Sequence, residues 1–179
     1  CKKTKKIQHE YLNIIVPLPK SKSINKNDSF IKALSEKQYS DLIREYIKKG
    51  SNPYHKIYLD NANTIIINSI KEIKSSINLS VPDNKKRLFL IFDADKLCFP
   101  NQESANALLK ILEEPKKNNL FILVTSNINR IIDTILSRCV PVFFKNISSN
   151  EIENMINLNN INIENSKIIS RISCGNMRQ

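Results

Sequence analysis

Glycine is almost missing from this chain: Gly50 and Gly175 are the only two among 179 residues. A phosphate-cradling P-loop needs the pattern G-x-x-x-x-G-K-[ST], so these residues cannot form one. Cysteine is sparse as well. The four, at positions 1, 98, 139 and 174, are too scattered for a zinc pair or a small disulfide framework, and reduced, mostly structural thiols are expected. No apolar run approaches the roughly 20 residues of a membrane span, and no secretory signal pattern opens the chain, so no membrane contact and a cytoplasmic location are expected. Acids are in deficit, 17 against 28 Lys and Arg, for a net charge of +11. Before Asp28, Glu10 alone opposes Lys2, Lys3, Lys5, Lys6, Lys20, Lys22 and Lys26. Such an excess suits phosphate binding, and a general bias toward Ile, Asn and Lys explains it equally well.

What is present is enough for one α/β domain, or one plus part of a second. The first residue is Cys1 rather than methionine, and the chain is expected to begin inside a longer protein. Tyr11 to Leu18 has the β-branched content of a short strand. Ser29 to Lys49 carries Phe30, Ile31, Leu34, Tyr39, Leu42, Ile43, Tyr46 and Ile47 at helical spacing, with Gly50 placed like a C-terminal stop. Lys56 to Leu59 reads as a strand and Thr64 to Ile77 as a helix.

The most informative stretch runs from Arg87 to Cys139. Leu88 to Phe92 is an apolar run that stops at Asp93-Ala94-Asp95-Lys96, the pattern of a buried strand delivering carboxylates to the carboxyl edge of a parallel sheet. Asn101 to Pro115 is a helix with Ala105, Leu108, Leu109 and Leu112 on one face. Leu120 to Val124 is a second buried strand, ending in Thr125-Ser126-Asn127. A helix over Ile128 to Ser137 leads into Ser137-Arg138-Cys139, and Val140 to Phe144 reads as a last strand. Ser148 and Glu151 have capping-box spacing ahead of one helix, and another covers Glu164 to Ser173.

These segments, in this order, resemble the ATPase core of the bacterial DNA polymerase III clamp loader, within the AAA+ superfamily. The resemblance is strong from Arg87 to Phe144 and weaker from Asn52. It implies an AAA+-type parallel sheet flanked by helices over 1–146, incomplete at its N-terminus and carrying a helical insertion near 19–50. Residues 147–179 would then be the start of a small helical lid. The acidic cluster takes the Walker B place, with Phe92 where the family has its magnesium aspartate, Asp93 at the glutamate and Asp95 beyond. A one-residue shift of the strand restores an aspartate at the metal position.

The same resemblance makes Thr125, Ser126 and Asn127 the sensor 1 segment, with Ser126 the best fit, and Arg178 a sensor 2 arginine. Lys110 lies on a helix of the kind that contacts the DNA backbone. Arg138 becomes an arginine finger acting in trans; on residue chemistry alone it is equally a basic group at a helix end. The family's zinc module is reduced here to Cys1, with Thr4 and His9 nearby, so no metal is expected in this chain. Phe92, the missing P-loop and Ser137-Arg138-Cys139 together imply a non-hydrolysing subunit of the delta prime type. It would bind no cofactor itself, with ATP and Mg²⁺ on a neighbouring subunit, and its partners would be gamma/tau and delta subunits, the sliding clamp and primed DNA. Two alternatives stand beside it: an active gamma/tau-type ATPase whose P-loop lies upstream, and a basic DNA-binding module with no ATPase partner.

Overall fold

The computed structural model describes residues 3, 6–25, 28–82, 84–158 and 163–175; Cys1 and Arg178 lie outside them. In chain order the elements are β1 (Leu12–Ile15), α1 (Glu36–Ser51), α2 (Ile67–Ile77), β2 (Arg87–Phe92), α3 (Glu103–Glu113), β3 (Asn119–Val124), α4 (Asp133–Leu136), α5 (Ser149–Leu158) and α6 (Ile163–Ile172). Short 3-10 turns cover Phe30–Ala33, Ala94–Leu97 and Ile128–Arg130. The fold is α/β, and its three strands form one parallel sheet in the order β1-β2-β3.

The central strand β2 alternates buried and half-buried residues. Phe89 and Ile91, both 0% exposed, face a core made with Ile70 and Ile73 of α2, Ala105 and Leu108 of α3, and Ile131 and Ile135. Phe89 stacks on Phe121 of β3 with ring centroids 4.9 Å apart. On the other side, Val16, Leu18, Leu42, Leu59 and Ile66 form a second cluster, against which Phe92 packs. Removing this apolar surface from water is the main force holding the sheet to its helices. Arg87, which opens β2, is 5% exposed, and its guanidinium donates to the carbonyls of Ser76 and Leu79 at the end of α2.

Several sequence expectations are corrected. Lys56 to Leu59 is not a strand: the Tyr58 N–H is taken by the Glu45 carboxylate at 3.1 Å instead of a ladder partner. Gly50 does not stop its helix. α1 starts at a capping box between Ser35 and Gln38 and runs through Gly50 to Ser51. A Cβ on Gly50 would stand 2.6 Å from the carbonyl oxygen of Lys6, so the glycine permits a close approach. The expected helix over Ile128 to Ser137 is split, because Ile131 and Ile132 are extended (ψ 133° and 144°); β-branched residues resist helical χ1 restriction, and burial of Ile131 and Ile135 decides the path.

β3 is not buried on both faces: Leu120, Ile122 and Val124 are 47, 41 and 38% exposed. Val140 to Phe144 forms no strand. Its β-forming side chains lack a neighbouring ladder, and Val140 and Phe144 stand 90 and 93% exposed.

Two compact units divide the chain, Cys1–Val140 and Pro141–Gln179. In the second, Ser148 and Glu151 make the reciprocal cap of α5, Ser148 N donating to Glu151 Oε2 at 3.1 Å and Glu151 N to Ser148 Oγ at 3.3 Å. α5 and α6 pack on each other. Among the described residues no helix is long and apolar enough to cross a membrane.

Candidate functional site

Phe92 and Val124 are register partners at the ends of β2 and β3, so the residues that follow them leave the sheet side by side at its carboxyl edge, where open α/β sheets place ligand-binding loops. Asp93 turns the chain with φ 48° and ψ 51°, a left-handed conformation that aspartate tolerates better than most residues. Its carboxylate lies 3.7 Å from Lys56 Nζ. Asp95 accepts from the Thr125 hydroxyl at 2.8 Å, and the same Thr125 oxygen accepts from Asn127 N at 3.0 Å. Ser126 is exposed beside this knot. The structure therefore brings together Asp95, Thr125 and Asn127 of the expected site, and ties the Thr125 hydroxyl to its own chain.

Phe92 is half-buried against the second apolar cluster, with Lys49 Nζ 5.4 Å from its ring centroid. A phenyl ring offers no oxygen to a hard cation. Phe92 therefore supplies no magnesium ligand at that position. The cleft lined by Asp93, Lys56, Asn61, Asn63 and Lys96 encloses about 120 Å³, below the roughly 300 Å³ at which small-molecule pockets begin. Among the described residues no cluster of three or more His, Cys, Asp or Glu is placed to hold a metal ion.

Arg138 follows the end of α4. Its Nη1 donates to Thr134 O at 2.9 Å and to Ser137 Oγ at 3.4 Å, and its Nη2 donates to Glu113 Oε1 at 2.9 Å. The side chain is 34% exposed, and that of Glu113 50%. Next to it, Cys139 packs against the first core, and burial pushes its thiol up, away from thiolate chemistry. Lys110 is exposed on α3.

Sequence reasoning missed two partners. Glu113 is 25 residues from Arg138, and no local pattern signals a pairing at that distance. Glu45, on the buried side of α1, is 8% exposed and gathers Lys48 Nζ at 2.8 Å, His55 Nε2 at 2.7 Å and Tyr58 N at 3.1 Å. Burial alone raises its carboxyl pKa; the three hydrogen bonds outweigh burial and hold it at about 2.

The three-stranded parallel sheet with flanking helices makes this an α/β protein. The particular family follows from comparison with known proteins. The family described as DNA polymerase III, delta subunit matches residues 1–148, and the chain belongs to it. It is similar to DNA polymerase III subunit delta' of Bacillus subtilis (strain 168), 29% identical over 110 residues, 62% of this chain and 32% of that protein. It is also similar to DNA polymerase III subunit gamma of Buchnera aphidicola subsp. Schizaphis graminum (strain Sg), 34% identical over 128 residues, 68% of this chain and 34% of that protein. A solved DNA polymerase III gamma subunit-related protein of Thermotoga maritima aligns with a TM-score of 0.45 at 19% identity, over 98% of this chain and 58% of that one. The chain spans about a third of the length of the two curated relatives named.

Proposed function

We propose that this chain acts as a non-hydrolysing clamp-loader subunit that supplies Arg138 in trans to ATP on a neighbouring subunit, and so helps load the sliding clamp onto primed DNA. The observation that carries the reading is the contrast between Phe92 and Arg138. The position that would ligate magnesium is a phenyl ring packed on apolar neighbours, while a guanidinium that can neutralise phosphate charge stands at the surface of the same unit. ATP and Mg²⁺ on a gamma/tau-type partner would supply the phosphoryl group and its metal; Arg138 would stabilise charge on the transferring oxygens. Ser126, Thr125, Asn127 and Arg178 would keep, at most, the sensing part of their role. Lys110, exposed on α3, would meet the DNA backbone, delta and gamma/tau subunits would be the neighbours, and the C-terminal unit would be the start of the helical lid.

The gamma name of one relative favours a second reading, an active gamma/tau-type ATPase with its P-loop in a preceding segment. Phe92 weighs against it.

The test is ATP hydrolysis by the reconstituted clamp loader on primed DNA with clamp, comparing wild type with Arg138→Ala after equal assembly is established. Loss of about a hundredfold at the affected site is expected. Unchanged hydrolysis and clamp loading would remove the finger and leave Arg138 as a helix-end group.

A further inference from the structure

Resting on the arginine-finger reading above, we propose that Glu113 is a positioning residue: it orders the Arg138 guanidinium for a phosphate that Glu113 itself does not touch. The three hydrogen bonds of Arg138, to Thr134 O, Ser137 Oγ and Glu113 Oε1, occupy three of the five N–H donors of a guanidinium. One hydrogen on Nη2 and the Nε hydrogen are left without a partner among the described residues. Both sit on nitrogens bonded to the same guanidinium carbon and remain to donate to a phosphate.

The place of Glu113 supports a role beyond the fold. It is the last residue of α3, at the negative end of the helix dipole, where an acid is locally disfavoured. Glu114 follows it, adding like charge. Residues that break a local rule tend to mark functional positions. The pair is also half in solvent, and exposed ion pairs add little to stability. What the contact changes is freedom. α3 is fixed to the core through Ala105, Leu108 and Ile111, so Glu113 offers a steady anchor to a long side chain that would otherwise be ordered only when the neighbour's nucleotide arrives.

The experiment measures ATP hydrolysis by the complete clamp-loader assembly, containing the full-length chain, on primed DNA with clamp. Glu113→Ala, Glu113→Gln, Arg138→Ala and the Glu113→Ala/Arg138→Ala double variant are compared once each is shown to assemble. The expected result is that Glu113→Ala lowers kcat about tenfold with KM for ATP unchanged. Glu113→Gln, which keeps an oxygen to accept from Nη2, recovers most of that loss. The double variant is no slower than Arg138→Ala alone, because Glu113 acts only through the arginine. If Arg138→Ala is slow while Glu113→Ala runs at the wild-type rate or faster, the positioning role falls and the finger stands. Losses that add in the double variant also overturn it. An unchanged rate for Arg138→Ala removes both.

Discussion

The hydroxyl of Thr125 donates to Asp95 Oδ1 at 2.8 Å, tying the loop after β3 to the loop after β2 across 30 residues of sequence. The bond exists because the two strands end in register. Thr125→Val keeps the shape and removes the hydroxyl, leaving the part-buried Asp95 carboxylate and the Asn127 N–H each one bond short. Stability should drop by about 1 kcal/mol in urea denaturation; no change would mean that water replaces the bond at no cost.

Phe92 is held by packing. Phe92→Leu should cost less than about 1.5 kcal/mol, whereas Phe92→Asp, which puts a carboxylate against apolar neighbours, should cost about 2 kcal/mol or more. Equal midpoints for the two variants in chemical denaturation would show that the ring is not anchored in the second cluster.

Acid should weaken the α1 region through Glu45. Its carboxyl is depressed in the folded state to about 2 from an ordinary 4.5. Its contribution is therefore fully present above about pH 4.5 and is lost as pH falls toward 2. Wild type should lose stability between about pH 4.5 and 2 more steeply than Glu45→Gln, which at neutral pH should be less stable by about 2 kcal/mol. Parallel pH profiles for the two proteins would contradict the assignment.

Gly50 gives a test of sign. Alanine at a helix-interior glycine ordinarily stabilises by up to about 1 kcal/mol. Here the added Cβ meets the Lys6 carbonyl at 2.6 Å, and Gly50→Ala should lower the Tm. A rise would show that the segment around Lys6 yields.

Lys110 is exposed on α3. If it meets phosphate, Lys110→Ala should weaken DNA binding by the assembled complex evenly across sequences, and should reduce the slope of log K against log salt by about 1. An unchanged slope would return Lys110 to the solvated face of its helix.

Elements with strong local signals were legible: the apolar run of β2, the stripe of α3, and the Ser148–Glu151 cap. Failures came where local propensity met a distant competitor. Tyr58 spends its amide on Glu45, so a β-forming segment makes no strand. Ile131 and Ile135 are buried, so a helical pattern is broken in two. Val140 to Phe144 has the composition of a strand, but composition cannot supply the hydrogen-bonding neighbour a strand needs.

By itself, the sequence determined the α/β class, the excess of positive charge, the lack of any P-loop glycine pattern, and the residues that end the two central strands, because each is carried by composition or by a repeat within a dozen positions. The tertiary structure alone decided which of those residues meet. It joined Asp95 to Thr125, buried Glu45 under three donors, and set the Arg138 guanidinium on Glu113. Pairings of this kind depend on strand register and helix packing, which are settled by the burial of side chains far apart in the chain.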